Sequence, residues 1–196
     1  PSYNASNSLF GDRATLEFDG TDDYVYSSHS GFRSVDSSGV IVQVAQTVSG
    51  SNNTMGLNFG DEASPKYVHT MGGDATYGNR VAVIGDSGSS SVSSTTTVAV
   101  NSVNVLGVAS NGSTFEMFVN DGGKETTIVV SGSDDGRWFD DFGNMDNVTI
   151  GKLRYDTTPV IYGANVAVAF AGYFPFVNTS TIESLMSELT TYYGGT

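Results

Sequence analysis

The chain has 196 residues, no cysteine and a formal charge of −13, and 38% of its residues are hydrophobic. The lack of cysteine excludes disulfides and thiolate metal sites, and no apolar run approaches the roughly 20 residues of a membrane-spanning helix. The 8 basic residues are scattered singly, whereas nucleic acids and anionic membranes select clustered cations. We expect a single domain over residues 1–196, with no nucleic-acid partner and no membrane insertion.

Alternation of apolar and polar residues predicts an all-β fold. In Ala14–Phe18, for example, Leu16 and Phe18 alternate with Thr15 and Glu17. Similar runs follow at Val40–Gln46, Met55–Phe59, Lys66–Met71, Arg80–Ile84, Thr95–Val100, Val103–Ala109, Thr114–Val119, Thr126–Val130, Asn147–Lys152 and Ala164–Phe176. Turns rich in glycine and asparagine separate these runs, and the small-residue tract Gly85–Ser94 is assigned to them. Strands this numerous and regularly spaced predict a sandwich of two antiparallel sheets.

One helix is predicted near the C-terminus. Ser180 and Glu183 match a capping box, and Gly194 and Gly195 end the run. Apolar residues recur at helical spacing at Ile182, Leu185, Met186 and Leu189. Such a stripe predicts that the helix packs against the sandwich.

Four landmarks along the chain also point to a known family. They are the strand pair and turn in Leu16–Val25, the hairpin Asn104–Asn120, the strand Val148–Gly151, and the closing strand and helix in Phe170–Tyr193. In this order they resemble the LamG-like, concanavalin A-like lectin/glucanase superfamily. The resemblance implies a jelly-roll β-sandwich with one short C-terminal helix. Members of this superfamily include lectins, adhesion modules and glycoside hydrolases, so the fold does not select a function.

Two motifs imitate catalytic sites. Glu17, Asp19 and Asp22 resemble the Glu-x-Asp-x-x-Glu strand of glucanases with this fold, which predicts an alternative role as a glycoside hydrolase using Glu17 and Asp19 or Asp22. The third residue is Asp instead of Glu, and the string coincides with a structural turn of the family. Ser87 lies in a Gly-Asp-Ser-Gly sequence like that of serine proteases, but no histidine has the context of a general base. We therefore expect no catalytic residues and no enzyme activity.

The richest cluster of oxygen ligands lies between the predicted strands that end near Val130 and begin near Asn147. Its Asp140, Asn144 and Asp146 resemble the metal-binding loop of legume lectins. Calcium takes several hard oxygen ligands from irregular loops, so one interpretation is a Ca²⁺ site formed by these three residues. The other interpretation is a solvated acidic loop without metal.

Trp138, the only tryptophan, precedes this cluster. One interpretation is that its ring stacks on a sugar whose hydroxyl groups bind Asp140 and Asn144, with Tyr155 as a further ligand-binding residue. The other is that Trp138 fills the core. Four other tyrosines can take part either in sugar binding or in the core: Tyr24, Tyr26, Tyr77 and Tyr162.

The function expected from the sequence is that of a non-enzymatic surface, structural or adhesion module. The N-terminus carries no basic-then-apolar secretion signal, and assembly into a virus particle is one route by which such a protein reaches a surface. A phage decoration or attachment protein with glycan binding is therefore expected on the virion or extracellular surface. A Ca²⁺-dependent lectin is a second alternative. Expected partners are a glycan, other proteins of the same particle, and a second copy joined through exposed edge strands.

Overall fold

The computed structural model describes residues 1–30, 32–47, 54–72, 79–85, 88–99, 101–154 and 165–194. These ranges contain fourteen β-strands and one α-helix. The strands are β1 (Ser2–Asn7), β2 (Arg13–Asp19), β3 (Val25–Ser28), β4 (Gly39–Thr47), β5 (Thr54–Gly60), β6 (Tyr67–Gly72), β7 (Arg80–Gly85), β8 (Gly88–Ser93), β9 (Val103–Ser110), β10 (Phe115–Val119), β11 (Lys124–Glu125), β12 (Ile128–Ser131), β13 (Asn147–Ile150) and β14 (Asn165–Phe174). The helix is α1 (Thr179–Tyr193), and two short 3₁₀ turns are Ser8–Phe10 and Phe139–Asp141.

The strands form two antiparallel sheets that pack face to face. The first sheet has the order β1-β2-β14-β4-β9-β10-β11, and the second has the order β12-β8-β7-β6-β5-β13-β3. The last three strands of the second sheet are paired so that Tyr26 of β3 lies opposite Thr149 of β13, which in turn lies opposite Asn58 of β5. The predicted sandwich of two antiparallel sheets is confirmed.

The centre of the first sheet is buried on both faces because α1 covers the face of β4, β9 and β10 that points away from the second sheet. Val40, Val42 and Val44 of β4 pack with Met186 of the helix, whereas Ile41 points into the space between the sheets. Alternate side chains of β4 therefore belong to two different apolar layers, one between the sheet and the helix and one between the two sheets.

The helix packs as its apolar stripe predicts, but its N-terminal cap differs from the predicted capping box. Ile182 and Met186 are buried, and the C-terminal cap is Gly194 at φ 73°. The N-cap is Asn178, whose side chain accepts a hydrogen bond from the Thr181 backbone N–H. Glu183 instead accepts a hydrogen bond from the Lys124 backbone N–H at 2.9 Å and ties the helix to β11. No helix in the described ranges is long and apolar enough to cross a bilayer.

Most predicted strands are confirmed, and the errors have physical causes. The Gly85–Ser94 tract contains β8, although the sequence assigned it to turns; its small polar residues pair along their backbone with both β7 and β12. The described part of Thr95–Val100 is not a strand, since it forms a loop in which Val98 packs with Leu106 and Val119. β1 carries little alternation and was not predicted.

Candidate functional site

Trp138 is fully buried, which corrects the interpretation that it stacks on a sugar. Its ring stacks on Tyr173 with centroids 6.5 Å apart, and its indole Nε1 donates to the Tyr173 hydroxyl at 3.4 Å. The Tyr173 hydroxyl donates in turn to Asp36 at 2.6 Å. Burial and this carboxylate raise the pKa of Tyr173 to about 12. Trp138 therefore fills the core, and its ring offers no face to a ligand.

Of the predicted calcium ligands, Asp140 lies in the 3₁₀ turn Phe139–Asp141, and Asn144 and Asp146 lie in the loop between that turn and β13. Asp140 and Asn144 are exposed, whereas Asp146 is partly buried. Asp146 Oδ1 accepts hydrogen bonds from the Glu62 backbone N–H at 3.0 Å and from the Asn147 amide at 3.1 Å. This carboxylate thus joins the start of β13 to the turn after β5. Calcium binding at Asp140, Asn144 and Asp146 stays a prediction, as does ligand binding by Asp140 and Asn144. Tyr155 lies outside the described residues.

Two residues of the glucanase-like string, Glu17 and Asp19, line an acidic pocket of about 520 Å³ together with Asp23. Asn4 donates its amide to Glu17 at 2.8 Å. Asp19, Asp22 and Asp23 offer carboxylate oxygens within 4.8 Å of one another, the one such group of three found in the described ranges. Catalysis by Glu17 with Asp19 or Asp22 stays a prediction. The protease-like Ser87 lies outside the described residues.

A different surface combines exposed aromatic rings with charged groups. It consists of Tyr24, Tyr26, Glu62, Lys152 and Arg154, and we call it the tyrosine patch. Tyr24 and Tyr26 are each 38% exposed; Tyr26 lies in β3, at the edge of the second sheet, and Tyr24 immediately precedes this strand. The ammonium of Lys152 lies 4.8 Å from the ring centre of Tyr24, and the guanidinium of Arg154 lies 4.7 Å from that of Tyr26.

A backbone reversal after β13 brings the two cations to the tyrosines. Gly151 adopts φ 84°, a conformation that suits glycine, and the chain then turns back over the outer face of the second sheet. Buried side chains of this face hold the returning segment, because Asn58 donates to the Lys152 carbonyl at 3.4 Å and Thr149 donates to the same oxygen. The positions of Lys152 and Arg154 therefore depend on the sheet beneath them.

Glu62 connects the two halves of the tyrosine patch. One of its carboxylate oxygens accepts a hydrogen bond from the Tyr26 hydroxyl at 2.7 Å, and the other pairs with Arg154 Nη2 at 3.1 Å. The hydrogen bond to this carboxylate raises the pKa of Tyr26. Tyr26 and Arg154 are thus held in fixed positions, and the patch presents preorganised hydrogen-bonding groups beside aromatic rings. Such a combination suits polar ligands that have an apolar face.

His69 lies opposite Asn58 on the same outer face and is buried. Burial, with a smaller contribution from the charge of Arg80, lowers the pKa of His69 to about 3. A folded-state pKa below the unfolded value means that the unfolded chain binds the proton first. The contribution of neutral His69 to the free energy of unfolding is therefore complete above pH 6.5 and is lost as the pH falls towards 3.

We expect the free energy of unfolding to fall with decreasing pH below about 6.5, with His69 contributing up to about 1.4 kcal/mol per pH unit. Urea denaturation at several pH values between 4 and 8 measures this slope. The comparison is with His69→Gln, which lacks the titrating group and should show a shallower slope. Equal slopes in the two proteins would show that His69 does not hold a depressed pKa.

Sequence reasoning named Tyr24 and Tyr26 only as general aromatic candidates and missed Glu62, Lys152 and Arg154. The two cations lie in a stretch that the alternation assigned partly to a strand, and they are distant in sequence from the tyrosines. Their grouping arises from the pairing of β3 with β13, which brings the start of the chain beside Ile150. A signal was present in Gly151, since a glycine after an apolar strand often marks a reversal.

Several solved structures share the fold at low sequence identity. The CBM40 module of the Ruminococcus gnavus IT-sialidase is 13% identical over 88% of this chain and 96% of that chain, with a TM-score of 0.69. The same module bound to α2,3-sialyllactose is 14% identical over 76% of this chain and 82% of that chain, with a TM-score of 0.64. Domain 4 of AbnA, an extracellular arabinanase from Geobacillus stearothermophilus solved with arabinotriose, is 10% identical over 95% of this chain and 81% of that chain, with a TM-score of 0.63.

A heptameric SAP-like pentraxin from Limulus polyphemus is also similar, with 8% identity over 88% of this chain and 81% of that chain and a TM-score of 0.63. No family model and no curated protein matches the chain. The likeness to these solved structures shows the fold alone, a jelly-roll β-sandwich of two antiparallel sheets.

Proposed function

We propose that this protein is a non-enzymatic glycan-binding module and that the tyrosine patch is its binding site. The observation that carries the proposal is the pair of half-exposed rings, Tyr24 and Tyr26, fixed beside the charged side chains of Glu62, Lys152 and Arg154. An aromatic ring covers the apolar face of a pyranose, and charged groups around it bind the sugar hydroxyls.

The structural neighbours support this proposal by analogy of fold. The Ruminococcus module binds sialyllactose, and the arabinanase domain was solved with arabinotriose. The first is the CBM40 module of a sialidase, and the second is a domain of an arabinanase. Because one fold carries many functions, the neighbours raise the expectation of sugar binding, and the patch supplies the local chemistry.

A role on an exposed surface follows from glycan binding. A module that recognises sugars without changing them serves attachment or adhesion, on a cell or on a virus particle. We retain the virion attachment or decoration role as part of this proposal. Immunogold labelling of purified particles and of intact cells tests it, because the labelled surface identifies where the protein resides.

The tyrosine patch is tested by binding to a panel of oligosaccharides with the variants Tyr24→Ala and Tyr26→Ala. Each variant should weaken binding of the sugars that the wild type recognises by about tenfold, since stacking on an aromatic ring contributes on the order of 1 kcal/mol. Isothermal titration calorimetry or a glycan array measures the change. Tyr3→Ala is the matched control, because Tyr3 is a 70% exposed tyrosine on β1, at the edge of the other sheet.

Two results would contradict the assignment. Unchanged binding in both patch variants would move the site elsewhere on the protein. Release of sugar from any polysaccharide by the wild type, abolished in Glu17→Gln, would show that the acidic pocket is catalytic and that the protein is an enzyme.

A further inference from the structure

The side chain of Lys152 is buried, and no anionic partner for it lies among the residues that the structure describes. The residue is only 8% exposed, yet in the ranges that the structure describes its ammonium makes no ion pair and donates no hydrogen bond. The ammonium lies over the ring of Tyr24, 4.8 Å from the ring centre. The Nζ atom keeps some exposure to solvent.

Three other cations of the protein have carboxylate partners. Lys124 pairs with Glu116 at 3.1 Å, Arg137 with Asp135 at 2.8 Å, and Arg154 with Glu62 at 3.1 Å. Removing an ammonium from water is costly unless a negative charge or several hydrogen-bond acceptors replace the lost hydration. The face of Tyr24 replaces only part of it. The site around Lys152 is therefore complete only when an anion is present.

The charges of the tyrosine patch define what kind of anion fits. Arg154 and Glu62 neutralise each other, so the patch carries one net positive charge, that of Lys152. A singly charged group such as a carboxylate balances this charge, whereas a phosphate monoester, with nearly two negative charges at neutral pH, would leave an excess beside Glu62. The cation lies directly beside the aromatic ring on which a sugar would stack.

We propose that Lys152 binds the carboxylate of an acidic sugar residue, so that the tyrosine patch selects carboxylate-bearing glycans over their neutral counterparts. This inference rests on the proposed glycan-binding function and specifies its ligand class. The carboxylate forms a charge-assisted hydrogen bond with Nζ while the sugar ring contacts Tyr24. Tyr26 and Arg154 flank the remainder of the sugar.

The test compares matched sugars that differ only by the acidic group or residue. The probes are cellobiouronic acid against cellobiose, and α2,3-sialyllactose against lactose, titrated by calorimetry at low and high salt. The wild type should prefer at least one acidic member by tenfold or more, and the preference should shrink as salt screens the charge. In Lys152→Met the ratio of the affinities for the acidic and the neutral member should fall to about one, and Lys152→Arg should restore much of the preference.

The outcomes separate this inference from the proposal beneath it. Equal binding of acidic and neutral members by the wild type would overturn the role of Lys152 and leave glycan binding intact. Preference for the acidic member that survives in a folded Lys152→Met would likewise overturn it. Binding of none of the sugars in the larger panel would instead refute the glycan-binding function itself. Circular dichroism and thermal melting establish that each variant is folded, and Lys152→Gln serves as the second variant if Lys152→Met is not.

Discussion

Replacing Trp138 with alanine should lower the free energy of unfolding by about 3–5 kcal/mol, the range typical of a fully buried aromatic residue. The ring contacts Phe139 edge-on with centroids 5.3 Å apart and Phe115 at 6.5 Å, in addition to its stacking on Tyr173. Its removal would empty the centre of the aromatic core and deprive the Tyr173 hydroxyl of a donor. Urea denaturation followed by circular dichroism measures the loss.

The control for this prediction is Trp138→Phe, which keeps most of the ring volume and should cost less than the alanine variant. Glycan binding by the folded fraction of either variant should stay close to wild type, because Trp138 does not reach the surface. A loss below about 1 kcal/mol in Trp138→Ala, together with loss of sugar binding, would return Trp138 to the role of a surface stacking residue.

Replacing Gly60 with alanine should disrupt the tyrosine patch, although Gly60 itself is not one of the residues of the patch. A methyl group at this position would overlap the backbone carbonyl oxygen of Arg154, so the segment that carries Lys152 and Arg154 must shift away from the sheet. A shift of this kind removes the guanidinium from Tyr26 and Glu62. We expect glycan binding to fall by tenfold or more, with a stability loss of about 1–3 kcal/mol.

Gly122→Ala is the matched control for this substitution. Gly122 lies in an exposed turn, and a methyl group there would approach only the Val119 carbonyl, at 3.3 Å. Its variant should bind sugars normally. Normal binding in Gly60→Ala as well, measured by the same titration, would show that the Lys152–Arg154 segment does not form the site.

The fold could be predicted from the sequence wherever burial imposes a regular pattern of apolar residues along a strand. β4 and β9 alternate or are continuously apolar because they lie at the centre of a sheet that is covered on both faces. β8 could not be recognised, since Ser89, Ser90 and Ser91 carry no apolar period and the strand is defined by its backbone pairing. The reverse error occurred at Thr95–Val100, where β-branched residues have strand propensity but the described residues lie in a loop.

The candidate site was less predictable because it is assembled across the sheet. The sequence drew attention to Trp138 since a lone tryptophan near aspartates is typical of sugar sites, but an aromatic residue is equally suited to a core, and local sequence does not show which. The tyrosine patch depends on which strands become neighbours. Nothing local to Lys152 indicates that its ammonium will lie over Tyr24, since that contact follows from the β3–β13 pairing and the turn at Gly151.

The most direct test of glycan binding at the tyrosine patch is a map of the protein's response to a bound sugar. Backbone amide NMR signals of the isotopically labelled protein are followed while a binding oligosaccharide from the panel is added. The signals of Tyr24, Tyr26, Lys152 and Arg154 should move together and saturate with one affinity. Shifts confined to the acidic pocket around Glu17 and Asp19, or no saturable shift with any sugar in the panel, would contradict the account.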